Sequence, residues 1–164
     1  MHSENTDLNF AIITLSDSRK ANDDISGAYI KEFILSNSWK LYFYEVIRDD
    51  ETELERLYSE YTGSPDVDII ITTGGTGLSE RDITVQVSRS FVTKELTGII
   101  HLLLSKGLKE TPFAALSNPF AGVKDKTLII NLPGSVKAVK ESMGALKPVF
   151  AHAVEIIKNG SFKH

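Results

Sequence analysis

The 164-residue sequence contains no cysteine, and this absence excludes several kinds of protein. Without thiols there can be no disulfide framework, no thiolate metal site and no cysteine nucleophile. The first seven residues carry no lysine or arginine, so a secretory signal is not expected. No stretch approaches the ~20 apolar residues that span a bilayer. We therefore expect a soluble protein located in the cytoplasm.

Positive charge is also scarce, with 18 Lys and Arg against 22 Asp and Glu and a net charge of −4. Nucleic-acid binding by bulk electrostatics needs a basic face and is not expected. The four histidines predict no metal cluster, because His2 and His164 are terminal and His101 and His152 are far apart in sequence. The length fits one domain over residues 1–164, of which 1–7 are expected to be flexible.

Strand-like and helix-like segments alternate along the chain. Apolar and β-branched runs predict strands over 9–15, 41–47, 67–73, 113–116 and 127–132. Helical spacing predicts helices over 27–36, after Thr52, after Thr84, over 97–105, from Ser135 toward Met143, and over 146–157. This order predicts a three-layer α/β/α fold with an open, mostly parallel sheet, which binds ligands beyond the carboxyl ends of its strands.

Several residues are expected to mark the helix ends. Thr52 and Glu55 match a capping box, and Gly63 would end the same helix in a left-handed conformation. Thr84 and Ser135 are predicted N-caps. Gly144 is expected to interrupt the last helical region, with Pro148 near the start of the final helix.

Polar or glycine-rich segments follow four of the predicted strands. They are residues 16–18 with 26–27, 48–50, 74–77 with 81–84, and 131–135. Each alone is typical of an ordinary turn. Because all four would lie at the same sheet edge, we predict that they share a binding site.

The turn Gly74-Gly75-Thr76-Gly77 gives the sharpest signal. Glycines allow positive φ and close approach to a ligand, and successive amides can bind an anion. No lysine follows, so a Walker-type NTPase is rejected. Glu80 stands where a Rossmann fingerprint needs Gly or Ala, which disfavours a dinucleotide dehydrogenase.

Two carboxylates near this turn are candidates for holding Mg²⁺. Asp49 and Asp82 each follow a predicted strand or its glycine turn, and Mg²⁺ prefers oxygen ligands and bridges phosphates. The alternative is that Asp50 and Asp82 only cap helices. Spacing does not decide between Asp49 and Asp50.

Taken together, these segments resemble the molybdopterin adenylyltransferase family of the MogA/MoaB type, which includes the amino-terminal G domain of gephyrin. They occur in the family's order and span nearly the whole chain. The matching segments are Thr14-Leu15-Ser16-Asp17-Ser18, Ser26-Gly27, Ile47-Arg48-Asp49-Asp50, Thr72-Thr73-Gly74-Gly75-Thr76-Gly77, Arg81-Asp82-Ile83-Thr84 and Leu128-Ile129-Ile130-Asn131-Leu132-Pro133-Gly134-Ser135. The related molybdenum insertases have a different sequence after their glycine pair.

The resemblance implies transfer of AMP from ATP to the terminal phosphate of molybdopterin, with Mg²⁺ as cofactor and pyrophosphate as product. It implies that Asp49 and Asp82 are catalytic and that both are candidate Mg²⁺ ligands. The residues implied to bind substrate are Ser16, Asp17, Ser18, Gly27, Gly74, Gly75, Thr76, Gly77, Arg81, Thr84, Asn131, Pro133, Gly134 and Ser135. It further implies a homotrimer, with hexamers in some members, and a downstream molybdenum insertase as partner.

The chain departs from the family pattern at several positions. Arg48 replaces a proline, Gln86 an acidic residue and Asn118 an arginine, and His101 lies where many bacterial members have an acid. Losing the arginine removes a possible phosphate donor. A catalytically weak carrier or scaffold that binds molybdopterin or nucleotide is therefore an alternative. A nicotinamide oxidoreductase is a third hypothesis, already weakened by Glu80.

Overall fold

The computed structural model describes residues 7–18 and 21–160. Its strands are β1 (Asn9–Leu15), β2 (Lys40–Ile47), β3 (Ile69–Thr73), β4 (Lys94–Glu95), β5 (Phe120–Lys124) and β6 (Thr127–Leu132). Its helices are α1 (Ile25–Ser36), α2 (Glu51–Tyr61), α3 (Thr84–Phe91), α4 (Thr97–Glu110) and α5 (Val136–Asn159), with short 3₁₀ helices at Ala21–Asp23 and Pro112–Leu116. Apart from Asp7, the expected flexible amino terminus lies outside the described residues, as do His2 and His164.

The strands form one sheet in the order β2-β1-β3-β6-β5-β4. β1, β2, β3 and β6 are parallel, whereas β5 runs antiparallel to β6 and β4 antiparallel to β5. Phe10 and Ile12 face a core shared with α1, α4 and α5, while Ala11 and Ile13 face a core shared with α2 and α3. Burial on both faces explains why β1 reads as an almost continuous apolar run. The predicted three-layer, mostly parallel fold is confirmed.

The strand register brings the predicted polar segments to one edge. Leu15 pairs with Ile47, Thr14 with Thr73, and Thr73 with Leu132, so four parallel strands end side by side. From β1 the chain crosses to β2 on one side, and β3 lies on the other. The strand order therefore reverses between β1 and β3, where a crevice forms in open α/β sheets.

The prediction of a strand over 113–116 is wrong, because these residues form the 3₁₀ helix Pro112–Leu116. Thr111 begins that helix by accepting a hydrogen bond from the Phe113 backbone N–H at 3.3 Å. The strand lies later, at β5, and neither β5 nor β4 was predicted. Gly122 allows Val92 to pack closely, since a Cβ at that position would lie 2.8 Å from the Val92 methyl carbons. A proline and a glycine make this segment resemble a turn.

Two predicted helix starts are also corrected. The Thr52–Glu55 capping box does not form; Asp50 is the N-cap of α2, and its Oδ1 accepts from the Glu53 N–H at 2.9 Å. Thr84 is not an N-cap but the first residue of α3, and its hydroxyl donates to the Gly74 carbonyl at 3.0 Å. Gly63 has φ 76° directly after the C-cap of α2, which confirms the predicted left-handed end.

The last helix is continuous, so the predicted interruption at Gly144 is wrong. Ser135 is the N-cap as predicted, accepting from the Ala138 N–H at 3.3 Å. Pro148 lies inside α5, where its missing N–H leaves the Gly144 carbonyl without a helical donor. Buried Met143, Leu146 and Phe150 pack against the sheet, and this tertiary packing outweighs the two helix-breaking residues. α4 likewise runs past residue 105, the last of the predicted helix, to Glu110.

Within residues 7–18 and 21–160, no helix combines the length and the apolar character that a membrane crossing requires.

Candidate active site

A pocket of about 330 Å³ opens at the carboxyl edge of the sheet, at the reversal of strand order. Its lining residues come from the last residues of β1 and β3 and from the segments after β1, β2, β3 and β6: Thr14, Leu15, Ser16, Asp17, Ser18, Asp49, Thr73, Gly74, Ser79, Arg81, Asp82 and Gly134. The sequence therefore predicted correctly that these distant segments meet. We call this space the central pocket.

Asp49 lies among several charged side chains in the central pocket. Its backbone N–H donates to Asp17 Oδ1 at 3.1 Å, and Arg81 Nη1 lies 3.6 Å from Asp17 Oδ2. Asp49 Oδ1 is buried and has no hydrogen-bond partner among the residues that the structure describes. Burial raises the pKa of Asp49, and the negative charges of Asp17 and Asp82 raise it further. The pocket therefore disfavours a bare Asp49 carboxylate and would favour a cation beside it.

The structure separates Asp49 from Asp50. Asp50 caps α2, whereas Asp49 lines the central pocket. Asp82 does not cap α3, which begins without a side-chain cap; its Oδ2 instead accepts from the Ser79 N–H at 2.9 Å. Both aspartates singled out by the resemblance thus reach the same pocket.

The glycine turn has the backbone conformation that the sequence predicted. Gly74 and Gly75 have φ angles of 93° and 70°. A Cβ on Gly74 would lie 2.2 Å from the Leu15 carbonyl oxygen, and one on Gly75 would lie 2.1 Å from Thr84 Oγ1 and 3.2 Å from Asp49 Oδ1. Only glycine lets the chain pass this closely behind the aspartate. Contact between this turn and a ligand stays a prediction.

Two further hollows flank the central pocket. The first, of about 310 Å³, shares Asp82 with it and is lined by Gly75, Thr76, Gly77, Asp82, Val85, Gln86, Arg89, Ser90 and Asn118. We call it the side hollow. The second, of about 250 Å³, lies between α4, the 3₁₀ helix Pro112–Leu116 and the start of α5, and Pro133 and Ser135 line it. The structure therefore separates three residues that were predicted to bind substrate together: Gly134 lines the central pocket, whereas Pro133 and Ser135 line the second hollow.

Three predicted site residues lie behind the pocket walls. Gly27 and Thr84 are buried, and Asn131 has no exposed surface. Asn131 Nδ2 donates to Thr72 Oγ1 at 2.9 Å and to the Tyr58 hydroxyl at 3.1 Å. The place of these residues supports a role in shaping the site, and direct ligand contact stays a prediction.

Sequence reasoning missed Asp24, which is 2% exposed. One oxygen of Asp24 accepts from the Gly27 N–H at 2.9 Å and so caps α1; the other accepts from Thr14 Oγ1 at 2.6 Å and the Tyr44 hydroxyl at 2.5 Å. Burial, together with the hydrogen bond to Asp24 and its charge, raises the pKa of Tyr44 above its usual range. Asp24 stands just before a helical segment, which was a usable cap signal, but the bonds to two strands depend on tertiary structure.

An open α/β sheet with an acidic, glycine-lined crevice at its switch point defines a class of domains that bind small ligands at the sheet edge. The chain belongs to a particular family of that class, described as the probable molybdopterin binding domain, whose profile matches residues 11–152. The resemblance seen in the sequence is thereby confirmed.

Named relatives agree with this assignment. The molybdopterin adenylyltransferase of Helicobacter pylori (strain 26695) is 34% identical over 155 residues, covering 92% of this chain and 88% of that protein. The gephyrin of Dictyostelium discoideum is 38% identical over 116 residues, which are 71% of this chain but 16% of that much longer protein. The crystal structure of a molybdenum cofactor biosynthesis protein B superposes with a TM-score of 0.89 at 27% identity, covering 93% of this chain and 97% of that one.

Proposed function

We propose that this chain is a molybdopterin adenylyltransferase that transfers AMP from ATP to the terminal phosphate of molybdopterin. An oxygen of that phosphate would form a bond to the α-phosphorus of ATP, the bond between the α-phosphorus and its bridging oxygen would break, and pyrophosphate would leave. The observation that carries the proposal is the convergence of Asp49, Asp82 and the Gly74–Gly75 turn on one pocket. Relatives named for this activity support it.

The protein's own groups suit a phosphorylated ligand. The Gly74 N–H donates to the Leu132 carbonyl at 3.1 Å, but the later backbone amides of the glycine turn can bind phosphate oxygens without a lysine. Arg81, whose side chain is 81% exposed, can contact a phosphate at the pocket mouth while it stays near Asp17. These groups would hold the two substrates in line, which is a large part of catalysis in phosphoryl transfer.

We propose that Mg²⁺ binds with the substrates and neutralises charge developing on the phosphates. The site fits this ion, because Asp49 Oδ1 is a buried oxygen without a partner in the described part of the chain, beside two further carboxylates. Among the described residues no group of three or more candidate ligands is arranged to hold a metal. One or two aspartates would therefore share the ion with substrate phosphates, as is usual for Mg²⁺.

The proposal is tested by incubating the protein with molybdopterin, ATP and Mg²⁺ and measuring adenylylated molybdopterin and pyrophosphate. Asp49→Ala and Asp82→Ala should each lower turnover by roughly 100-fold or more, because each removes a carboxylate that would hold Mg²⁺ against the reacting phosphates. Both proteins should retain the circular dichroism spectrum of the parent. Wild-type rates in both variants would refute the assignment of catalysis to these aspartates. Binding of both substrates without pyrophosphate release would favour the carrier.

We further propose that the chain works as one domain and assembles as a homotrimer. Three large apolar side chains on α4 and the adjoining 3₁₀ helix are unusually exposed: Leu108 at 48%, Phe113 at 75% and Leu116 at 56%. Contacts between copies would cover this patch. Light scattering should give a molar mass three times that of the chain, whereas a hexamer would give six times that mass. Phe113→Ser should lower the measured mass. The cytoplasmic location and the partnership with a molybdenum insertase stay predictions.

A further inference from the structure

The side hollow contains a cation that neither the sequence pattern nor the resemblance singled out. Arg89, in the last turn of α3, lines this hollow opposite the glycine turn. Among the described residues that line it, Arg89 is the only one with a positive side chain, and Asp82 the only one with a negative side chain. Because Asp82 also lines the central pocket, the two spaces are neighbours.

The Arg89 guanidinium is held in place but remains accessible. Its Nε lies 3.6 Å from Glu95 Oε2, and its central carbon lies 5.4 Å from the centre of the Phe120 ring. The side chain is nevertheless 61% exposed. A guanidinium carries five N–H donors in a fixed plane, so one face can rest on an aromatic ring while its edge binds a phosphate.

Among the described residues that line it, the central pocket has more negative than positive side chains. Asp17, Asp49 and Asp82 all line it, and Arg81, the one arginine among its described lining residues, lies beside Asp17. Within residues 7–18 and 21–160, no lysine lines either the central pocket or the side hollow. Two phosphorylated substrates would therefore bring more negative charge to an acidic site. A second cation in the side hollow, which shares Asp82 with the central pocket, would offset this negative charge.

We propose that Arg89 binds a phosphate group of a substrate in the side hollow and so supplies the cation that the glycine turn lacks. This inference rests on the proposed function, since it places a phosphate group of one of the same two substrates in the side hollow. The shared chemistry is a phosphate, which could belong to the pyrophosphate end of ATP or to molybdopterin.

The test is equilibrium binding to the full chain by calorimetry, with ATP, pyrophosphate and molybdopterin as three separate probes. Arg89→Ala should weaken binding of at least one probe by roughly 10- to 100-fold, the range for a charge-assisted hydrogen bond. Arg56→Ala is the matched control, because that exposed arginine pairs with Glu53 and Glu60 on α2 and lines none of these pockets. It should leave all three affinities unchanged.

A second pair of variants separates phosphate binding from a purely structural role. Glu95→Gln removes the partner of Arg89 but keeps the cation, so affinity should be unchanged or tighter. Asn118→Arg, introduced into the Arg89→Ala protein, places a guanidinium in the same hollow and should restore affinity. Wild-type affinity for all three probes in Arg89→Ala, or an equal loss in Glu95→Gln, would overturn the inference.

The probes also tell the two sources apart. Loss with ATP and pyrophosphate assigns Arg89 to the nucleotide, and loss with molybdopterin alone assigns it to the pterin phosphate. If the wild type makes no adenylylated molybdopterin yet its affinity still depends on Arg89, the proposed function fails and this inference stands. If the wild type turns over normally and Arg89→Ala has no effect on binding, the proposed function stands and this inference fails.

Discussion

The backbone N–H of Asp49 donates to the carboxylate of Asp17 at 3.1 Å, which joins the segment after β2 to the segment after β1. The link holds two acidic side chains in one pocket, and Asp82 adds a third. Arg81 offsets part of this charge. Binding sites commonly keep such unfavourable arrangements because the ligand relieves them.

Asp49→Asn should stabilise the metal-free protein at neutral pH. The pKa of Asp49 is raised from 3.8 in the folded protein, mainly by burial, so the fold holds this proton more tightly than the unfolded chain does. The resulting loss in the free energy of unfolding is absent well below pH 3.8. It grows as the pH rises through the pKa of Asp49 in the folded protein and is complete above that pKa. Thermal unfolding without Mg²⁺ should give a higher Tm for Asp49→Asn at pH 7, and the same Tm as the parent at about pH 3.

Asp66→Asn is the control for this experiment, because Asp66 is exposed in the turn before β3, away from the pocket. Its Tm should follow that of the parent at both pH values. A lower Tm for Asp49→Asn at pH 7 would contradict the picture of an uncompensated carboxylate.

Gly74→Ala should destabilise the protein strongly. Its φ of 93° is unfavourable for any residue with a Cβ, and that Cβ would lie 2.2 Å from the fixed Leu15 carbonyl oxygen. We expect a loss of at least ~2 kcal/mol in the free energy of unfolding, measured with urea. Gly98→Ala, where a Cβ would meet nothing within 4 Å, should be neutral or slightly stabilising. Equal effects of the two changes would argue against the tight turn.

Asp24→Ala should cost roughly 3 kcal/mol of unfolding free energy, because it leaves several buried donors without an acceptor. Those donors are the Gly27 N–H and the hydroxyls of Thr14 and Tyr44. Tyr44→Phe removes only one of them and should cost about 1.5 kcal/mol. Urea unfolding of both variants checks this order, and a larger loss in Tyr44→Phe would exclude Asp24 as the centre of the network.

Tyr58 should make the fold sensitive to alkali. Burial raises its pKa to about 12, although hydrogen bonds with Ser88 and Asn131 oppose the shift. An unfolded tyrosine ionises near its ordinary value of 10.0, so stability should fall as the pH rises from about 10 toward 12. The fall should be shallower in Tyr58→Phe, as measured by urea unfolding across that pH range. Identical pH slopes would show that Tyr58 does not contribute.

Much of this protein could be predicted from local sequence. Strands buried on both faces need continuous apolar and β-branched residues, so β1, β3 and β6 are visible as runs. Turns that need positive φ need glycine, so the Gly74–Gly75 turn is visible as well. Because parallel strands end at a common edge, the meeting of Asp49, Asp82 and Gly134 could be predicted from the alternation of strands and helices.

Other features depended on contacts between residues far apart in the chain. α5 continues through Gly144 and Pro148 because its apolar face is buried against the sheet. The helix propensities of its residues do not take that burial into account. The bonds from Thr14 and Tyr44 to Asp24 join residues 10 and 20 positions apart. Arg89 reaches the side hollow because α3 packs beside the glycine turn. A sequence pattern reports which face of an element is apolar, but only folding decides what that face meets.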